Sequence, residues 1–361
     1  MPWRALFVSS EFWLTSGQLL VISALVALAA TGAAAPLLRW AGIVDRPAPG
    51  KVHRQAVPRL GGVCIFLGFA ATLLWRGRVA EAEGAILLGG VLVMVVGVLD
   101  DVWRVPAVAK LAALVVVTGL LYRSGVRLSL TTVAWLDVPL TFLWMVGMVS
   151  AMNALDHMDG LAAGVGLVAA LMFFFVGAQT HQFSWAYLSI ALAGGLLGFL
   201  VWNFHPARIF MGDSGAFFLG YTLAAMGVMG GWSTHAVKAA IIPILILSVP
   251  IFDFAYVLAS RYLRGTTSTL AKTVSYRGTD HLGHRLSRFG WRPQLVALFV
   301  YFVSVCVGVG AVVLRNVPPL DAVLLLGQFI MVYLIITILM HQHPAEAGPG
   351  TSTSALDGGD V

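Results

Sequence analysis

Apolar residues run along this chain in long blocks broken by short polar stretches. They neither alternate as in strands nor recur on a single helical face. A helix crossing the hydrocarbon core needs about 20 apolar residues. Eleven blocks approach that length: roughly 17–39, 61–75, 84–99, 105–122, 139–155, 160–178, 184–202, 213–231, 237–262, 293–314 and 319–340. The pattern predicts eleven transmembrane helices. The first block, Leu19–Leu38, is long enough to span and no clear cleavage site follows a short apolar core, so it reads as a helix and not a leader. Between the fourth and fifth blocks, Val126–Trp135 (VRLSLTTVAW) is β-branched and partly alternating, which predicts a short β-hairpin at the outer, periplasmic surface. Residues 1–340 thus form one transmembrane domain. The tail 341–361 is rich in Pro, Gly, Ser and Thr and is expected to be disordered.

Composition agrees: 59% hydrophobic, 11% charged and a mean hydropathy of +0.89 describe an all-α polytopic integral membrane protein. Cys64 and Cys306 lie inside apolar blocks and read as packing residues. The net charge of +6 does not point to nucleic acid, because the basic residues flank apolar blocks, where topology explains them. With the N-terminus outside, fifteen Lys and Arg fall on the inner side and seven on the outer. That vote puts the C-terminus and the long loops 40–60 and 263–292 inside. Gly89–Gly90 and Gly194–Gly195 permit a homodimer interface or packing within one chain.

The acids sort more tellingly. Asp45, Asp100, Asp101, Asp156, Asp159, Asp213, Asp253 and Asp280 all fall on the inner side or at inner helix ends, whereas Glu11, Glu81, Glu83 and Glu346 lie elsewhere. Short, stiff carboxylates gathered at one face suit a site that positions metal and phosphate.

Four stretches carry that chemistry. In VLDDVWR (Val98–Arg104), two adjacent acids end an apolar helix and must face water, a cation or protein. Lys110 follows nine residues later inside the next apolar block, where an ammonium wants an anion. In SAMNALDHMDGLAAG (Ser150–Gly164), Asn153, Asp156 and Asp159 are three apart and would share a helical face, suiting a hard cation or a nucleotide. Gly160 there either admits a ligand to the backbone or permits helix packing. In VWNFHPARIFMGDSG (Val201–Gly215), Pro206 ends a helix and Asp213 or Ser214 can cap the next, leaving N–H groups that favour an anion. Phe210 can stack on a base or anchor in the interface.

In RGTDHLGHRLSRFG (Arg277–Gly290), His281 and His284 fall three apart on a short helix among several arginines. Zinc would want more ligands than these two, and the arginines favour phosphate. The basic loop DRPAPGKVHRQAVPRLGG (Asp45–Gly62) likewise suits an anionic headgroup or a phosphorylated ligand. The residues alone therefore describe an inner-face site of clustered aspartates suited to a hard cation, ringed by Lys, Arg and His. Phosphoryl transfer requires that combination.

Taken in order from Asp45 to Gly290, these motifs resemble the polyprenyl-phosphate N-acetylhexosamine-1-phosphate transferase family, the MraY/WecA group of glycosyltransferase family 4. Its members transfer a sugar 1-phosphate from a UDP-sugar to a lipid phosphate and release UMP. The resemblance implies catalytic roles for Asp100, as the base acting on the lipid phosphate, and for Asp101, Asp156 and Asp159. It implies magnesium, with manganese as a substitute, on Asp213 and Asn153. Substrate contacts would come from Asp45, Lys51, His53, Lys110, Gly160, Leu161, Asn203, Phe210, His281, His284 and Arg285, with Phe210 stacking on uracil.

The implied partners are a UDP-N-acetylhexosamine and undecaprenyl or another polyprenyl phosphate in the lipid of the bacterial plasma membrane, with the active site cytoplasmic. Ser150 stands where the family often has Asn, and Asp280–Leu286 (DHLGHRL) is shorter than a run of three or four histidines. The second departure points away from the muramoyl-pentapeptide substrate and toward UDP-N-acetylglucosamine. The rival readings are that pentapeptide transferase, a CDP-alcohol phosphotransferase suggested by Asp156–Ala163 but lacking its Arg and its second acid pair, and an ion-coupled transporter. The transporter would want acids at mid-span.

Overall fold

The computed structural model describes residues 9–47, 55–77, 79–128, 134–233, 236–264 and 280–342. In chain order these form α1 (Ser10–Trp40), β1 (Val44–Asp45), β2 (Val57–Pro58), α2 (Gly61–Arg76), α3 (Glu81–Trp103), α4 (Ala107–Arg123), α5 (Ala134–Leu155), α6 (Leu161–Gln179) and α7 (Phe183–Asn203). There follow α8 (Gly212–Met229), α9 (Ala236–Ile246), α10 (Ser248–Leu263), α11 (Leu282–Ser287), α12 (Pro293–Leu314) and α13 (Pro319–Gln342).

Each expected apolar block falls on a helix. By length and composition, seven of the described helices can cross a membrane, or eight when α9 and α10 count as one bent span. The protein is an all-α, multi-pass membrane protein. The block 237–262 is not one straight helix: α9 and α10 meet at 79°. Pro250 has no N–H for the carbonyl of Ile246, and its ring would clash there, so α9 stops at Ile246 and Pro250 sits in the first turn of α10. Five residues of the expected hairpin, 129–133, lie outside the described residues; Trp135, at its far end, already belongs to α5. The tail beyond 342 also lies outside them.

Helix α6 carries no polar face and is 83% buried across its best span, against 17% for α13. The core therefore lies around α6, α7 and α8, while α13 turns Leu324, Ile330, Ile335 and Ile338 outward as lipid-facing surface. The glycine pairs serve packing within the chain. A Cβ on Gly194 would sit 2.4 Å from the carbonyl oxygen of Leu20 in α1, and one on Gly89 would sit 1.9 Å from the Tyr221 hydroxyl of α8. Ser23 adds a hydrogen bond from its hydroxyl to the carbonyl of Ala191 at 2.6 Å. Outside the helices, β1 and β2 pair antiparallel, with Val44 opposite Pro58 and Asp45 opposite Val57.

Candidate active site

The first cluster is built where α3 ends against the start of α8. A Cβ on Gly97 would lie 2.4 Å from the Cα of Ser214, so only glycine lets the two helices approach this closely. Arg104 then takes a left-handed conformation (φ 58°), and the chain reverses through Val105–Pro106 into α4, which returns Lys110 to the end of α3. The Lys110 ammonium donates to Asp100 Oδ2 at 2.7 Å and lies 3.9 Å from Asp213 Oδ2. Asp100 Oδ1 accepts the Val105 N–H at 2.7 Å.

Asp101 accepts the backbone N–H groups of Asp213 and Ser214 at 3.0 and 3.1 Å, the first turn of α8. The cap of α8 thus comes from α3 and not from Asp213 or Ser214 themselves, and the N–H groups expected to favour a free anion are already taken. Asp100 and Asp213 also stand within hydrogen-bonding reach of each other.

The second cluster is the turn between α5 and α6. Asn153 lies in the last turn of α5, but that helix ends at Leu155, so Asp156 and Asp159 sit in the turn and not on one helical face with it. Asp159 Oδ2 pairs with His205 Nδ1 at 2.7 Å and accepts the Ala207 N–H at 3.1 Å. Asn203 is buried and bridges both sides, accepting from Gly160 N–H at 3.1 Å and donating to the Ile209 carbonyl at 2.9 Å. Tyr301 donates its hydroxyl to the Gly160 carbonyl at 2.6 Å. Leu161 is fully buried and packs in the core. Phe210 is tied through its backbone to Pro58 and Gly61. Asp156 joins the two clusters: burial, and then the like charges of Asp101 and Asp159, push its carboxyl up to about 7.

The histidine segment packs beside that turn. Arg261 holds Asp280 with two hydrogen bonds of 2.7 Å, and although burial acts to raise it, this pairing holds the Asp280 carboxyl below its usual range. Arg285 is 1% exposed; it donates to the carbonyls of Asp280 at 2.7 Å and Met340 at 3.2 Å, and its guanidinium stands 5.1 Å from the Tyr256 ring centre. It clasps α11 to the end of α13. Asp253, fully buried in α10, meets His281 Nδ1 at 2.9 Å and accepts the Leu282 N–H at 2.6 Å. The His157 ring stacks on His281 at 4.9 Å and lies 4.8 Å from His284. Burial first, then the neighbouring His281, lowers His157 to about 3, so it is neutral.

Asp45 pairs with Arg59 across the β1–β2 ladder, while Lys51 and His53 lie outside the described residues. Sequence reasoning did not single out His157, His205, Arg261 or Tyr301 as site residues, and it left Asp253 without a partner. Asp253 did carry a signal, as an acid inside an apolar block.

Asp100 and Asp213 share the Lys110 ammonium, Asp101 is met by two backbone N–H groups, and the Asn153 amide makes no side-chain hydrogen bond among the described residues. This excess of hard oxygen donors over cations fits a magnesium ion, with manganese the nearest substitute.

The family model for glycosyl transferase family 4 matches residues 84–231, the segment from α3 to the end of α8 that holds the first two clusters. The chain is also 33% identical over 305 residues to the probable undecaprenyl-phosphate N-acetylglucosaminyl 1-phosphate transferase of Bacillus subtilis (strain 168), covering 82% of each chain. It belongs to glycosyl transferase family 4. Within this family it is 31% identical over 349 residues to the decaprenyl-phosphate N-acetylglucosaminephosphotransferase of Mycobacterium tuberculosis (strain H37Rv), covering 86% of this chain and 85% of the relative. It is more distant from the phospho-N-acetylmuramoyl-pentapeptide-transferase of Clostridium botulinum (strain Alaska E43), at 26% identity over 291 residues, covering 73% and 84%. The family match ends before the histidine segment, so Asp253, His281 and Arg285 lie outside the part of the chain that the family model describes.

Proposed function

We propose that this protein transfers N-acetylglucosamine 1-phosphate from UDP-N-acetylglucosamine to a polyprenyl phosphate, undecaprenyl phosphate in the first instance, and releases UMP. The observation that carries the reading is the Asp100–Lys110–Asp213 group at the junction of α3, α4 and α8, inside the segment shared with the family. Asp100, fixed by Val105 and Lys110, takes the proton of the lipid phosphate. The freed oxygen attacks the β-phosphorus of the UDP-sugar, the new P–O bond forms as the bond to UMP breaks, and the leaving UMP carries away the electron pair.

Lys110 counters charge on the phosphate oxygens during the transfer. Asp101 holds the start of α8 so that Asp213 faces Asp100. Asp213 and Asn153 would hold a magnesium ion, which would supply charge neutralisation at the diphosphate. Asp159 and Asn203 shape the loop that presents Phe210 to the uracil. His284 and Lys110 supply the phosphate contacts.

The same reading places eleven spans in the plasma membrane of a bacterium, with the N-terminus outside and this site on the cytoplasmic face. The decisive experiment is UMP release by the full chain in detergent with UDP-N-acetylglucosamine, undecaprenyl phosphate and magnesium. Release that needs all three supports the proposal. Absence of UMP with any UDP-N-acetylhexosamine overturns it.

A further inference from the structure

Three chain segments distant in sequence meet beside the carboxylate site: the α5–α6 turn, the middle of α10 and the start of α11. They bring together His157, Asp253 and His281, and one ring nitrogen of each imidazole and one carboxylate oxygen all lie within 4.8 Å of one another. The proposed transfer gives His157 and Asp253 no part.

Their arrangement is nonetheless specific. His157 Nδ1 lies 2.9 Å from the carbonyl of Ala154, which can only accept, so Nδ1 carries the ring proton and Nε2 presents a lone pair. That Nε2 is buried and has no hydrogen-bond partner among the described residues. A buried acceptor left without a donor forfeits its hydration with nothing in return, so its persistence asks for a ligand. Gly283 faces it: a Cβ there would sit 2.7 Å from His157 Nε2, so glycine keeps this approach open. An imidazole that donates one nitrogen to a backbone carbonyl and offers the other is oriented as metal-ligating histidines are. On the other side, His281 Nδ1 and Asp253 Oδ2 stand 2.9 Å apart and hold a proton that a cation can displace.

We propose that His157, His281 and Asp253 bind one divalent transition-metal ion of the zinc class, at a site separate from the oxygen donors that suit magnesium. Two imidazoles and one carboxylate favour such an ion over magnesium, and they leave a fourth position open. Tetrahedral ligands at about 2.0–2.1 Å lie roughly 3.3 Å apart, so side-chain rotations moving donors by about 1.5 Å close the site. The bound ion ties α10 and α11 to the α5–α6 turn. This inference does not depend on the transferase reading.

The test uses full-length protein in detergent, stripped with chelator and titrated with cobalt(II) in excess magnesium. One cobalt per chain is expected, with the strong ligand-field absorption of four-coordinate cobalt, and zinc should displace it. His157→Ala should weaken cobalt binding at least about 100-fold, since losing a group that only orients a metal ligand already costs about 10–100-fold. Gly283→Ala, which puts a methyl against Nε2, should do the same and decides the matter if His157→Ala fails to fold. Asp213→Ala should keep the cobalt spectrum. No stoichiometric cobalt on the wild-type chain, or unchanged binding in both His157→Ala and Gly283→Ala, overturns the proposal. So does a spectrum lost in Asp213→Ala and kept in His157→Ala.

Discussion

The carboxylate cluster at the α3–α8 junction and the histidine–arginine cluster around α10 and α11 are built on opposite principles. In the first, Asp100 and Asp213 share the single Lys110 ammonium while Asp101 is met by the backbone N–H groups that start α8, so carboxylates outnumber the cations that pair with them. In the second, every carboxylate is matched: Asp280 by Arg261, and Asp253 by His281 and the Leu282 N–H. Unmatched charge near a surface is poised for a substrate or a cation, whereas matched buried charge ties segments together. The difference teaches that clustered polar residues at one end of a bundle need not share a task.

The largest effect separating the two should come from Asp213→Ala. Turnover in the UMP assay should fall at least about 1,000-fold, the scale of losing a main electrostatic contributor, while the unfolding temperature moves by no more than about 2 °C. A stable but equally active variant would break the comparison on its catalytic side. Arg261→Leu should do the reverse. Removing one partner of a buried ion pair costs about 3 kcal/mol, or about 4 °C for a chain of this size, measured by thermal unfolding in detergent. An unchanged melting temperature would show that the second cluster clasps nothing.

Asp101→Ala sharpens the contrast, because Asp101 lies in the first cluster and acts as a cap. It should lose about 1–2 kcal/mol of stability along with most of the activity, and both losses should be partly restored by Asn. Phe210→Ala should raise KM for the UDP-sugar about 10-fold and leave kcat within about 3-fold, the mark of lost ground-state binding.

The smallest expected effect is a pH slope. Asp156 has its folded pKa raised from 3.8 to about 7, so the folded state holds the extra proton and stability is fully present below the unfolded value. It is lost as pH climbs toward the folded value. In chelator, the wild-type melting temperature should therefore fall by a few degrees between about pH 5 and about pH 7, and Asp156→Asn should flatten that slope. An equal slope in both would remove Asp156 from the cluster's electrostatics.

The sequence by itself determined the helices, because runs of about 20 apolar residues have one stable solution in a bilayer. It also determined where the unusual charge lies: Asp100, Asp101, Lys110 and Asp213 are legible as polar residues that hydrocarbon would not tolerate unpartnered. The aspartate motifs within residues 84–231 carried the family with them.

Tertiary structure decided the partnerships. Nothing local says that Asp101 caps a helix 112 residues away, that Asn203 bridges Gly160 and Ile209, or that His157 leans on His281. Nor could spacing alone show that α5 stops at Leu155, which takes Asp156 and Asp159 off the helical face their interval of three suggested. Burial and periodicity are properties of a segment and can be read along it. Hydrogen-bond partners and close backbone approaches, such as that of Gly97 to Ser214, are properties of pairs that exist only once the helices have packed.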